Sequence, residues 1–97
     1  MSTFTIKDKN YIPADDLSWS DVHGELVIID AKTGDYHVMN EVGRVIWLAI
    51  VENCTTDQVI NKIQSEFSVN KEDAEKDMIF FVNDLFKRNL LKAECKP

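Results

Sequence analysis

The chain predicts an α+β domain of winged-helix-like order, a three-stranded antiparallel sheet followed by three helices. Three observations lead there. Residues 17–39 hold three short runs of β-type alternation, broken by the turn signals "HG" and "AKTG". From Asn40 onward the apolar spacing changes from two to about 3.6. Each helical stretch follows a side chain that caps well: Asn40, then Thr55 or Thr56, then Asn70. A length of 97 residues allows one domain with one modest core.

Residues 1–14 read as a flexible N-terminal tail, because Lys7, Asp8, Lys9 and Asn10 cluster and Pro13 interrupts regular structure. Within them "TFTI" is a candidate short strand. The domain proper is then residues 15–97. Leu17–Val22 alternates weakly, Leu17 and Trp19 against Ser18 and Ser20, which suits an edge strand. His23-Gly24 turns the chain. "ELVIID" is the clearest strand, with Leu26 and Ile28 on one face and Val27 and Ile29 on the other. Apolar residues on both faces place it in the middle of the sheet. "AKTG" supplies the next turn, closed by Gly34 in the left-handed conformation. "DYHVM" returns antiparallel as the other edge, with Tyr36 and Val38 facing one way and His37 and Met39 the other.

Asn40 caps the first helix and Glu41 suits its positive end. The stretch to about Val51 is apolar nearly all round, as expected of a helix buried between layers. Gly43 costs about 1 kcal/mol there relative to Ala, which implies a close backbone contact. Thr55 with Gln58 has capping-box spacing, and Val59, Ile60, Ile63 and Phe67 form one stripe on the second helix. The third helix runs from Asn70 to roughly Asn89, and "LLKAE" is a candidate last strand.

The third helix carries more apolar surface than a core requires. Ala74, Met78, Ile79, Val82, Leu85 and Phe86 span a broad arc, whereas a surface helix needs a stripe of roughly 100°. Phe81 sits just outside one edge of the arc, and Phe80 lies well off it beside Asp73, Asp77 and Asp84. One reading makes Phe80 a lone exposed aromatic. The other makes this helix one wall of a groove with an acidic rim.

Composition removes several classes. Eleven Lys and Arg against seventeen Asp and Glu give a net charge of −6, the opposite of what phosphate neutralisation demands. A winged helix that read DNA would place its third helix in the groove, and "KEDAEKD" there would repel phosphate. Phosphate loops, HExxH, CxxC and nucleophile elbows are missing, so no catalytic group and no cofactor is expected. Asp73 and Asp77 share a helix face, a spacing that a solvated charged stripe also gives. Cys54 and Cys95 read as free thiols, and His23 and His37 each lack a second metal ligand nearby. No apolar run has membrane-span length, and a cytoplasmic location is expected.

Three segments then carry a family resemblance: "ELVIIDAKTGDYHVMNEVGRVIW", "TTDQVINKIQSEFSV" and "AEKDMIFFVNDLFKRNLL". Together they resemble the PqqD family, the peptide-chaperone domains also called precursor-peptide recognition elements, over residues 19–91. Asp30, Thr33, Gly34 and Tyr36 match the family's turn and third strand, Gly43 and Ile46-Trp47 its first helix, and Asp77, Phe81, Leu85 and Leu90-Leu91 its third helix. Met39 stands where Leu is common, and Asn89 where Gly often ends the helix; Asn also tolerates that left-handed cap.

The resemblance implies non-catalytic binding of the leader segment of a ribosomally made precursor peptide, delivered to a separate modifying enzyme. That enzyme would be a radical SAM enzyme, or a protease or cyclase; the run "DAKTGDYHVMN" leans towards lasso-type members. The leader would add as a strand to residues 35–39, Asp35, Tyr36, His37, Val38 and Met39, against Asp77, Phe80, Phe81 and Asp84 of the third helix. If the opposite helix edge faces the strand, Ile79, Asn83 and Phe86 take their place. Tyr36 either packs into the core or touches the peptide, and His37 and Met39 share the same choice. The alternative function is a winged-helix interaction or regulatory domain that binds a folded protein.

Overall fold

The computed structural model describes residues 11–93. In chain order they form β1 (Tyr11–Pro13), β2 (Leu17–Val22), β3 (Glu25–Asp30), β4 (Tyr36–Met39), α1 (Glu41–Val51), α2 (Thr56–Phe67), α3 (Lys71–Lys87) and β5 (Leu91–Ala93). β2, β3 and β4 make the expected antiparallel meander with β3 in the centre. The three helices follow, so the α+β reading holds. Asp35 lies in the turn rather than in the strand.

Local chemistry explains both turns. His23 and Gly24 have φ of 55° and 84°, the paired left-handed pattern of a two-residue hairpin turn. At the second turn Gly34 takes φ 81° and its N–H donates to the Asp30 carbonyl at 2.8 Å, while Asp30 N–H donates to the Asp35 carbonyl at 2.9 Å. Side chains hold the loop between them. The Asp30 carboxylate accepts from Lys32 N–H at 2.9 Å, and Thr33 Oγ1 accepts from Asp35 N–H at 3.1 Å.

The helices begin and end where the sequence marks them. Asn40 Oδ1 accepts from Gly43 N–H at 2.9 Å, Asn70 Oδ1 accepts from Asp73 N–H at 2.8 Å, and Thr55 with Gln58 closes a reciprocal capping box. α1 and α3 stop on left-handed asparagines, Asn53 and Asn89. Each donates to the carbonyl three residues back, and the next N–H reaches five back, Cys54 to Ala49 and Leu90 to Leu85.

One face of the sheet and the three helices share the core. Leu26 and Ile28 of β3 are fully buried, as are Ile46 and Trp47 of α1, Ile63 of α2, and Met78 and Val82 of α3. Trp47 meets Trp19 of β2 edge-to-face, centroids 5.4 Å apart, while its indole N–H has no hydrogen-bond partner among the described residues. α1 packs against β3, β4, α2 and α3 and is the central helix. The close approach expected at Gly43 is present. A Cβ built there would stand 3.0 Å from Phe81 Cε1 and 3.2 Å from Met39 Cβ.

One expectation changes. Residues 11–14 are not a tail: β1 pairs with β5, Tyr11 opposite Ala93 and Pro13 opposite Leu91, and Ala14 N–H donates to the Leu90 carbonyl at 3.0 Å. Pro13 is tolerated because a two-stranded ladder has an outer edge at which a missing donor costs nothing. The candidate strand "TFTI" lies outside the described residues, as does Cys95; Cys54 is a free, half-buried thiol. β3 is central in the sheet, as expected; Leu26 and Ile28 on one face are buried, while on the other Val27 is half-buried and Ile29 exposed, with no helix packed over them among the described residues.

Arg44 of α1 ties the sheet to the helices by donating through Nε to Asp21 Oδ2 of β2 at 2.8 Å. That hydrogen bond holds the Asp21 carboxyl below its ordinary pKa, and the one from Lys92 does the same for Asp15. Because the folded value is the lower one, the stabilisation is present above the ordinary carboxylate range and is lost as pH falls through the folded value. Asp21→Asn is therefore expected to be slightly less stable than wild type near pH 7, the pair being partly exposed, and to converge with it in acid, so that the variant's denaturation curve loses less stability between pH 7 and about pH 3. Gly43→Ala is expected to be net destabilising by about 1 kcal/mol in urea titrations, because crowding against Met39 and Phe81 outweighs the gain in helix propensity.

Candidate functional site

The free margin of β4 is the natural place to begin. The bond from Asp30 N–H to the Asp35 carbonyl makes these two a hydrogen-bonded pair. Antiparallel ladders alternate, so the pairs His37 with Ile28 and Met39 with Leu26 are hydrogen-bonded as well. Tyr36 and Val38 fall between them. Their N–H and C=O groups therefore point away from β3, to a side where no strand pairs with β4 among the described residues.

α3 runs beside this margin, antiparallel to β4. At one end Phe81 and Met39 converge on the same point of Gly43. At the other, a cleft of about 280 Å³ has Asp35 and His37 on its strand side and Arg88 and Asn89 on its helix side. Seven residues of helix rise about 10 Å and three steps of strand cover about 10 Å, so these two points of approach are similarly spaced on both elements. Asp77, Phe81, Asp84 and Arg88 follow one another along the α3 edge that includes Phe81.

The expected residues are placed differently along these two elements. Phe81 is half-buried against the β4–α1 junction, and Phe80 packs edge-to-face on it, centroids 5.4 Å apart, while staying 65% exposed. Asp77 is half-buried and has no basic side chain in ion-pair distance among the described residues. Asp84 differs: Arg88 Nε donates to its carboxylate at 3.0 Å, so a basic guest would compete with a neighbour already in place. His37 faces the cleft. Met39 belongs to the core at 3% exposure, so only its backbone is left to the edge. Tyr36 is resolved too; it avoids the core and stands on the opposite, open face of the sheet.

Of the other helix edge, Phe86 packs partly into the core and Ile79 and Asn83 are exposed. The contact at Gly43 is what aligns the Phe81 edge with β4. Arg88 also lines the cleft and is not among the residues the sequence pointed to. Its signal was the i,i+4 spacing from Asp84, which puts a cation at the end of an otherwise acidic wall.

A small domain with a three-stranded meander, three capped helices and an open strand margin beside an aromatic helix edge has the build of a peptide-recognition domain. The family follows from a direct match: the model for coenzyme PQQ synthesis protein D (PqqD) covers residues 25–91, and the chain belongs to that family. Among solved structures, TbiB1 in complex with the TbiA(beta) leader peptide is similar with TM-score 0.79 and 25% identity, over 88% of this chain and 99% of that one. A lasso peptide synthetase B1 complexed with the leader peptide shares the fold, with TM-score 0.78 and 20% identity over 86% and 98% of the two chains. No curated protein matches the sequence. No helix of the described residues is long and apolar enough to cross a membrane.

The burial difference along α3 has a measurable consequence. Phe80→Ser is expected to change unfolding free energy by less than about 0.5 kcal/mol, whereas Phe81→Ala costs about 1–2 kcal/mol by losing a half-buried ring. Urea denaturation of the two variants separates them.

Proposed function

We propose that this chain is a non-catalytic peptide carrier. It binds the leader segment of a ribosomally synthesised precursor as a strand added to the β4 margin, against α3, and presents it to a separate modifying enzyme. The observation that carries the reading is the outward main chain of Tyr36 and Val38, to which no strand pairs among the described residues, on a strand whose last residue, Met39, meets Phe81 of α3 at Gly43. The leader peptide bound by TbiB1, which shares nearly its whole length with this chain, supports the class of ligand.

Strand addition separates affinity from selectivity. Main-chain hydrogen bonds bind any extended segment, while pockets at alternate positions choose among side chains. The turn at Gly34 and the cap at Asn40 hold both ends of a four-residue strand, so little ordering cost remains to be met on binding. A margin this short also limits edge-to-edge aggregation. Asp77 offers a carboxylate to a basic leader residue, which speeds encounter more than it deepens affinity. The modifying enzyme is a radical SAM enzyme or a protease or cyclase, acting in the cytoplasm where the precursor is made.

Calorimetric titration of leader peptides from neighbouring precursor genes tests the reading. Val38→Pro removes an outward donor and is expected to abolish binding while circular dichroism and Tm stay close to wild type. Wild-type affinity in that variant would sink the strand-addition site. Raising salt from about 50 to about 200 mM is expected to weaken leader binding less than about ten-fold, against roughly 10³-fold or more for a partner bound through its phosphates.

A further inference from the structure

The sheet face turned away from the helices is the least expected surface of the molecule. Antiparallel sheets covered on one side normally turn polar residues outward. Here Ile29, Tyr36 and Val38 are 44%, 70% and 48% exposed, with Val27 half-buried among them. The register sorts them into two rows across the strands, Ser18–Ile29–Tyr36 and Ser20–Val27–Val38. Each row is polar on β2 and apolar on β3 and β4. Both rows therefore become apolar towards the free margin and end there, with no charged side chain in either.

We propose that this open face is the second half of the peptide site. The inference rests on strand addition at β4. A strand laid along that margin, in either direction, puts alternate side chains on the two faces of the sheet. One set points into the slot between His37, Phe81 and Arg88. The other set extends the two rows, one residue beside Tyr36 and one beside Val38. Cross-strand neighbours on one face are the unit of side-chain selection in a sheet, and apolar rows favour aliphatic or aromatic additions. The protein thus selects peptides that carry two apolar residues two positions apart, with the residue between them read by α3. Tyr36 and Val38, which the core does not use, are the specificity-determining residues of the outer face.

The occupant is the peptide rather than a folded protein because the rows run into the unpaired margin. A partner covering only the face would leave the outward N–H and C=O groups of Tyr36 and Val38 unmatched.

The test uses the full chain, immobilised, against a displayed library of random peptides about a dozen residues long. Tyr36→Glu and Val38→Glu are selected in parallel, with thermal melts confirming that these exposed substitutions leave the fold intact. Wild type is expected to enrich an apolar–any–apolar spacing. Tyr36→Glu should convert one of the two apolar positions to Lys or Arg and leave the other, and Val38→Glu should move the change by two positions. Serine at either apolar position of a selected peptide should weaken its binding to wild type by about two- to five-fold. If both variants keep the wild-type motif, the outer face does not read the peptide and the inference is overturned, while strand addition stands. If selected peptides bind Val38→Pro as well as wild type, or nothing is enriched, strand addition fails and this inference fails with it.

Discussion

A missing side chain at Gly43 lets three elements meet at one point. The last residue of β4, the first turn of α1 and Phe81 of α3 all converge there, closer than a Cβ would permit. Only Asn40 separates the strand from the helix, and it serves as the helix cap. A strand joined so abruptly to a helix has little freedom to tilt. The same contact sets how far α3 stands from the β4 margin, so the width of the slot follows from a packing constraint in the core.

The surfaces proposed for binding are what core formation leaves over. α3 buries Ala74, Met78, Val82 and Leu85 against the other helices, and Phe81 then falls at the border between interior and slot. A border position suits a recognition side chain: packing on one side restricts its rotamers while the other side remains available. Asp84 and Arg88 illustrate the opposite economy. Their mutual ion pair is surface-exposed and contributes little to stability, yet it presets the charges that line the slot.

Local chemistry was the legible part of the sequence. The turn residues, the three helix caps and the close approach at Gly43 were each marked by single residues, and each has a geometry in the structure that matches its chemistry. Alternation assigned the faces of β3 and β4 correctly but could not say which faces would be covered. Apolar residues on both sides of β3 rightly placed it in the middle of the sheet, yet only Leu26 and Ile28 are buried and Ile29 stays exposed. The pairing of β1 with β5 was invisible for a related reason. A three-residue strand containing Pro13 has no periodicity of its own, and its partner lies some eighty positions away in the chain. Which edge of α3 meets β4 depended likewise on a tertiary contact, that of Phe81 with Gly43, rather than on any repeat within the helix.

The β1–β5 ladder bears on how such a module is mounted. Tyr11 and Ala93 stand opposite each other across it. A tether fused at either end would leave from a single exit point, and two tethers would leave side by side like the legs of a clasp. The domain can thus be hung from one anchor and swing as a unit. Pulling on that anchor would load the small ladder before the force reaches β4.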